Sequence, residues 1–582
     1  MSTKWGHGVC RIEVAKVEWS YLQPWQRTTQ HKSLGTGFVI DGDRLLTNAH
    51  CVASAVDIRI RPYGSTRRFP AEVICYAPDV DLALLKIKGE SQQLDFFGHC
   101  QGTMSRRGRI GTGSDDNGKG KTENEKENSD KKGDSNDTLE DAIDGPASKR
   151  PRKSLSLEFA TELPNLQESV HVVGFPTGGR TICVTEGVVS RIDLSDRIVS
   201  IQIDAAINSG NSGGPAFNSK GQVTGVAFQK KADKKADNIG YLISSVQVLS
   251  FLGRVEGKMY TLSAAIPYRY HALENLSLRH FHKVPDDVHG VLITSVCDEA
   301  VDADEAMSGT DETMNKEGNA NSTNNNTSRL QKGDILTKID DRDVADDGQI
   351  VLRGDELIRH LYVIRVKKMN EPVVFTVYRN GKHITCSPIV LRDIPSLIPR
   401  WVDVDLVPSY LILGSAVLLP FSLAIKQYNT CGSLLKADSI KYYRAWPREW
   451  EGLDGLVVMT QLFANELSFS YSRPWRRVTH YNGVRITSLK HLQELWSESC
   501  AAVQSHDDTQ DDADNAANVA AAADTHKPSV QPTFARLELE NDDDVIFEVE
   551  SAIKTQSEVL KTYQIPRLHQ ILPPNPNYHG LV

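Results

Sequence analysis

None of the nine cysteines stands in a C-x-x-C pair, and their odd number is scattered from Cys10 to Cys500. That pattern fits free thiols in a reducing compartment and argues against a disulfide framework or a zinc site. There is no excess of positive charge: 66 Lys and Arg against 75 Asp and Glu give a net charge of −9. No nucleic acid partner is therefore expected. No metal-ligand cluster, phosphate-binding glycine loop or dinucleotide fingerprint occurs, so no metal and no cofactor are expected. The opening MSTKWGHGVCRIEVAKVEW lacks an apolar core of signal-peptide length and carries Glu13 and Glu18, which disfavours secretion and organelle import. One apolar run, Leu406 to Ile425, approaches the length of a membrane span. Prolines, a glycine and serines interrupt it, so two buried strands joined by a turn are favoured over a span, and no membrane partner is expected.

At 582 residues the chain is too long for one core and should divide into two to four domains. Short β-branched runs separated by turns (VCRIEVAKVEW, GTGFVI, RLLTNAHCV, DIRIRP, AEVICY, DLALLKI) fill residues 8 to 90, the rhythm of an all-β barrel or sandwich. From about Ser91 to Glu158 the composition turns polar, and a disordered insertion is expected over about 98–157, because such a segment cannot bury enough apolar surface to offset its chain entropy. Strand rhythm then resumes and runs to Leu252. Residues 1–258 are read as one domain, 259–396 as a second with an insertion at about 301–328, and 400–575 as a third with an insertion at about 501–532. The last two repeat one theme loosely: an apolar strand, a turn, and a G-x-x-I or similar step into a helical stretch.

The stretch INSGNSGGPAFN sets Ser212 among Gly210, Gly213 and Gly214. Glycines there open backbone conformations closed to other residues, leave the hydroxyl unobstructed, and allow the amides of Gly210 and Ser212 to aim at one point where a tetrahedral oxyanion would form. LLTNAHCV puts His50 at the end of an apolar strand, and PDVDLALLKI puts Asp81 directly before another. Each alone reads as a core histidine or a strand-capping aspartate. In the order His, Asp, Ser along a β-rich segment, they form the set that supplies a base, an orienting carboxylate and a nucleophile.

The stretches TNAHCV, DVDLALLKI, VVGFPTGG, VTEGVVSRI, QIDAAINSGNSGGPAFNSKGQVTGVAF and NIGYLI resemble the HtrA/Deg family of ATP-independent serine endopeptidases, and most closely its plant-type branch with two atypical PDZ domains. The resemblance implies a mainly β fold, a trypsin-like double six-stranded barrel followed by two PDZ-like α+β domains. It implies Ser212 as nucleophile, His50 as base and then acid, Asp81 rather than Asp79 as the partner of His50, and the Gly210 and Ser212 amides as oxyanion hole. It further implies that the strand Val226, Ala227 and Phe228 pairs with the substrate backbone, and that Ile207 lines a pocket for small aliphatic side chains. Expected substrates are unfolded or damaged proteins and peptides. A homo-oligomer built from trimers through Trp19, Tyr21 and Trp25 is also implied.

LSAAIP, Leu262 to Pro267, lacks the Gly-hydrophobic-Gly turn by which PDZ modules hold a peptide carboxylate, and LILGSAVLLP departs from it too. Both modules are thus read as setting assembly or gating the protease. The basic run Lys149 to Lys153, in an expected surface insertion, reads as a nuclear-import signal or a patch for an acidic partner, giving nucleus, nucleolus or cytoplasm as the expected location. The alternative to an enzyme is a chaperone-like scaffold that keeps the protease fold in a latent state.

Overall fold

The computed structural model describes residues 8–100 except 42, 157–228 except 177, 178, 180 and 196, 239–296 except 257, 258 and 261–265, 329–391 except 368–370, 398, 407–425 except 423 and 424, 452–510 except 472 and 473, and 534–572 except 541–543. The fold is mainly β. Twelve strands close into two six-stranded barrels. The first is built from β1 (Val9–Lys16), β2 (His31–Asp41), β3 (Arg44–Thr47), β4 (Ala55–Pro62), β5 (Phe69–Ala77) and β6 (Leu82–Ile87), in the spatial order β1-β2-β3-β6-β5-β4. The second uses β7 (Ser169–Gly174), β8 (Cys183–Ser195), β9 (Ile198–Ile203), β10 (Pro215–Phe217), β11 (Val223–Phe228) and β12 (Gly240–Ser244), ordered β10-β11-β12-β9-β8-β7. Closure removes the free edges that short, β-rich, apolar strands would otherwise expose. In β1 the alternation is legible residue by residue: Ile12 and Val14 point into the core, while Arg11, Glu13 and Ala15 are half-buried.

Two short helices decorate the first barrel, α1 (Ala49–Val52) and α2 (Glu90–Cys100). The second departs from expectation, since 98–100 were assigned to a disordered insertion. Phe96 explains it: its ring lies edge-on to Phe69 at 5.4 Å and is fully buried, so this piece has an apolar anchor. Residues 101–156, including Lys149 to Lys153, lie outside the described residues. Helix α3 (Ser245–Leu252) follows β12, its start capped by Ser244, whose hydroxyl accepts from Gln247 N.

Beyond α3, β13 (Val255–Glu256) and β14 (Met259–Tyr260) form a small ribbon. A six-stranded sheet follows, with α4 (Leu276–Phe281) and α5 (Leu361–Val366) beside it. It does not stand apart from the second barrel. One hydrophobic cluster runs from Ile201 and Leu242 of that barrel to Ile358 and Tyr362 of the sheet region. Arg353 adds polar ties by donating to the carbonyls of Leu163, at 2.8 Å, and Pro164.

The last region, an eight-stranded sheet, carries α6 (Leu489–Gln510) and α7 (Val549–Thr562). Helix α6 runs past the expected start of the third insertion at Ala501. The apolar run is a hairpin: Tyr410–Leu413 pairs with Ala416–Pro420 around Gly414, whose φ of +56° suits a residue without a Cβ. Among the described residues no helix is long and apolar enough to cross a membrane. The outer edge of Tyr410–Leu413 is taken by the chain's own His569–Gln570, and Ile412 N donates to Leu568 O at 2.8 Å.

Candidate active site

The ladder between β3 and β6 sets Thr47 opposite Ala83, and so brings the residues just beyond them, His50 and Asp81, to the same end of the first barrel. There His50 Nδ1 lies 2.8 Å from Asp81 Oδ2 and 3.0 Å from Oδ1, while the His50 backbone N–H donates to Oδ1 at 2.9 Å. With Nδ1 as the donor, Nε2 is left as the basic nitrogen. Two more contacts fix the pair: Lys16 Nζ donates to His50 O at 2.7 Å, and Asn48 Nδ2 to Asp81 O at 3.0 Å. Burial alone would lower the His50 pKa, but the neighbouring Cys51 thiol and the Asp81 carboxylate outweigh it and raise it well above its ordinary value of 6.5. Asp79 is placed elsewhere, its carboxylate accepting from Tyr260 Oη at 3.0 Å.

Ser212 comes from the second barrel, in the turn that leads into β10, and is 4% exposed. Glycine is required here at three positions, the first being Gly210, where at φ +98° a Cβ would lie 2.4 Å from Phe175 O. A Cβ on Gly213, at φ +84°, would lie 2.1 Å from Thr36 O, and one on Gly214 would lie 2.3 Å from Val173 O. This close approach lets the turn bond to both barrels: Thr36 N donates to Ser212 O at 2.9 Å, and Gly213 N to Ala227 O at 2.8 Å. Within the turn Asn211 N and Gly214 N are also used, on Asn208 O and Asn211 O. Among the described residues, the amides of Gly210 and Ser212 donate to no acceptor. A turn that satisfies the amides of Asn211, Gly213 and Gly214 and leaves these two open beside a serine hydroxyl is shaped to receive an oxygen carrying negative charge.

Among the described residues no hydrogen bond joins Ser212 Oγ to His50 Nε2; the neighbour of Nε2 is Cys51 Sγ at 3.7 Å, which also reaches Ser212 O at 3.6 Å. Ile207 is buried in the second barrel's core, where a Cβ on Gly240 would come within 2.9 Å of its Cγ1. The expected substrate strand needs revision at Ala227. Its N–H already donates to Gly214 O and its C=O accepts from Gly213 N, each at 2.8 Å, so it has no ladder groups to offer. Val226 lies within the barrel wall between Pro215 and Ile243, and Phe228 pairs with Tyr241 at the end of the strand.

Sequence reasoning missed Thr36. Its Oγ1 donates to Gly210 O at 2.7 Å and accepts from Phe175 N at 3.0 Å, while Thr47 Oγ1 donates to Thr36 O at 2.7 Å. One buried threonine of β2 thus ties the serine turn to the first barrel. The available signal was a polar residue between two glycines, Gly35 and Gly37, directly before the apolar Phe38, Val39 and Ile40. Of the aromatics expected to form contacts between copies, Trp19 lies under the Arg27 guanidinium. Tyr21 and Trp25 instead pack on the C-terminal sheet of the same chain, Trp25 at 5.7 Å from Tyr410 and 6.0 Å from Phe463.

Paired six-stranded barrels that bring a histidine-aspartate pair and a glycine-framed serine to their junction define the trypsin-like peptidase fold, and the trypsin-like peptidase domain family matches residues 35–122 and 146–226. The PDZ domain family matches residues 399–569. Protease Do-like 2, chloroplastic, of Arabidopsis thaliana is 31% identical over 82% of this chain and 65% of its own length. Protease Do-like 4, mitochondrial, of the same plant is 29% identical over 95% of this chain and 82% of its own. A solved structure titled HtrA-type protease AlgW with decapeptide is 16% identical, covers 68% of this chain and 98% of that one, and has a TM-score of 0.41. The chain is thus similar to Deg/Do-like proteases and carries matches to a trypsin-like peptidase domain and a PDZ domain. Its homologues bear the names of proteases, consistent with a serine endopeptidase. The chain spans less than two thirds of the length of Do-like 2. The expected nuclear, nucleolar or cytoplasmic location is overturned, because these relatives are named chloroplastic or mitochondrial. A basic run in a polar tract was too short a signal to carry that expectation.

Proposed function

We propose that the chain is an ATP-independent serine endopeptidase that cleaves exposed segments of unfolded, damaged or regulatory proteins through an acyl-enzyme. Ser212 Oγ attacks the scissile carbonyl, and His50 Nε2 takes the hydroxyl proton and passes it to the leaving amine. Asp81 holds the imidazole in the needed tautomer and stabilises its cation. The developing oxyanion is received by the Gly210 and Ser212 amides. The observation that carries this reading is the pair of open amides, Gly210 and Ser212, in a turn where the amides of Asn211, Gly213 and Gly214 are spent. The protease unit is taken as residues 1–258, followed by PDZ-like units at 259–396 and 400–575. Their role is to regulate assembly or access; the filled edge at Tyr410–Leu413 supports gating over capture of free peptide ends in the last unit. A homo-oligomer built from trimers completes the proposal, with mass photometry as its check.

Digestion of unfolded β-casein without ATP, beside Ser212→Ala, tests the central claim. Serine-dependent cleavage is expected; equal cleavage by both proteins rejects Ser212 as nucleophile. A second reading, a chaperone-like protein with a latent protease fold, is favoured by the missing bond between Ser212 Oγ and His50 Nε2. Suppression of aggregation without cleavage by the folded wild type would select it. Catalytic hydrogen bonds often tighten only with substrate bound, so the enzyme reading stands first.

A further inference from the structure

Asp79 and Asp81 share one turn, with the fully buried Val80 between them. Asp81 has φ +53°, an uncommon conformation for a residue with a Cβ, which persists where the surroundings over-determine it. Val80 N donates to Ala77 O of β5 at 3.4 Å, and a further hold on the Asp79 side of this turn comes from outside the barrel. Tyr260, of β14, donates from Oη to Asp79 Oδ2 at 3.0 Å, and the two residues are 1% and 5% exposed. The Tyr260 ring rests against Phe251 of α3 at 5.3 Å. The Arg254 guanidinium lies near enough to act on the phenol's charge. Arg254 Nη2 in turn donates to Lys367 O at 3.0 Å and Arg365 O at 3.4 Å, at the C-terminal end of α5. Burial, then the Asp79 carboxylate, holds the Tyr260 pKa well above 10 against the opposing Arg254, so the phenol remains a donor at any working pH.

We infer that Tyr260 and Asp79 are positioning residues for the Asp81–His50 pair: the phenol anchors one end of the turn so that the Asp81 carboxylate stays against the imidazole. Arg254, whose charge acts on the phenol, is itself held by the sheet region that follows the barrels. Neither residue touches the reacting atoms; they act through Asp81. The inference rests on the protease reading above.

The test titrates fluorescein-labelled β-casein against the full chain, Ser212→Ala, Tyr260→Phe, Asp79→Ala and the Asp79→Ala/Tyr260→Phe double variant, with Tm recorded for each. Tyr260→Phe keeps the ring against Phe251 and removes only the donor. It is expected to lower kcat about tenfold with KM within about twofold, the split that marks loss of an interaction felt in the transition state. The acid limb of kcat/KM should move to lower pH, because His50 loses part of the support of Asp81. The double variant should lose no more than the worse single, as two residues acting through one bond must. A Tyr260→Phe kcat within about twofold of wild type, or losses that multiply in the double, would overturn the inference. Absence of any Ser212-dependent cleavage would reject the protease reading instead. The pair is then judged on Tm between about pH 5 and 9, where Tyr260→Phe must shift the His50 inflection that Asp81→Asn removes, and an unshifted inflection overturns it.

Discussion

The two barrels hold their halves of the site by different means. The first holds His50 through side chains: a carboxylate on the imidazole, a lysine on its carbonyl and an asparagine on the Asp81 carbonyl. Ser212 of the second barrel is held through main-chain bonds that glycine permits, with Ala227 of its own barrel and Thr36 N of the first as partners. The base half should therefore respond to charge and pH, and the nucleophile half to the addition of a single methyl group. Exchanging one kind of perturbation for the other separates them.

The largest effect is expected from Asp81→Asn, which keeps the shape but favours the wrong tautomer of His50; in triad enzymes this change lowers kcat by about 10^4-fold. The same residue sets the pH behaviour. His50 has a folded pKa above its unfolded value of 6.5, so its contribution to stability is fully present below that value and is lost as pH rises through the folded pKa. Catalysis needs the neutral imidazole, so the acid limb of kcat/KM should lie on the alkaline side of 6.5 in the wild type. In Asp81→Asn the limb should fall back toward lower pH.

Gly213→Ala comes next and probes the other barrel. Its methyl would meet Thr36 O at 2.1 Å and Thr47 Oγ1 at 2.3 Å, at a φ of +84°. A stability loss on the order of 3 kcal/mol is expected, read as a fall in Tm, together with loss of cleavage, because the turn must move to fit. The acid limb of any residual activity should stay where the wild type has it, since the His50–Asp81 bonds are untouched. A shifted limb would mean that the two halves are not separate.

Thr36→Val tests the tie between the halves. It preserves shape and removes the bonds from Oγ1 to Gly210 O and from Phe175 N. Leaving buried groups unsatisfied costs about 1–3 kcal/mol. Here kcat should fall along with Tm, because the Gly210 carbonyl is freed to turn and its peptide neighbours form the proposed oxyanion site.

Legibility in the sequence follows the same division. Ser212, His50 and Asp81 were readable because each sits in a local pattern: three glycines, a strand end followed by small residues, and an acid before an apolar strand. Thr36 was not, because its partners Gly210 and Phe175 are 174 and 139 residues away and meet it only when two barrels pack together. The strand rhythm predicted a barrel or a sandwich, yet Glu90–Cys100 was lost in a polar tract because a buried ring, Phe96, holds it in place. The run from Leu406 to Ile425 was ambiguous on hydropathy alone; the turn at Gly414 decides for a hairpin. Docking of Tyr21 and Trp25 on a sheet nearly four hundred residues onward leaves no local trace at all.

The smallest effect supplies the control for these comparisons. Ser244→Ala removes the cap of α3, whose hydroxyl accepts from Gln247 N at 3.3 Å, and should cost about 1 kcal/mol. It lies in the second barrel, as Ser212 does, but on the β12 to α3 junction, and it makes no bond to the serine turn. Its Tm should fall by an amount comparable to the milder outcomes for Thr36→Val, while kcat stays at the wild-type value. If kcat falls equally in both, general loosening of the second barrel explains the Thr36 effect and the special role given to that threonine is wrong. If only Thr36→Val loses kcat, the nucleophile half depends on one bond across the barrel junction rather than on the stability of the barrel that carries it.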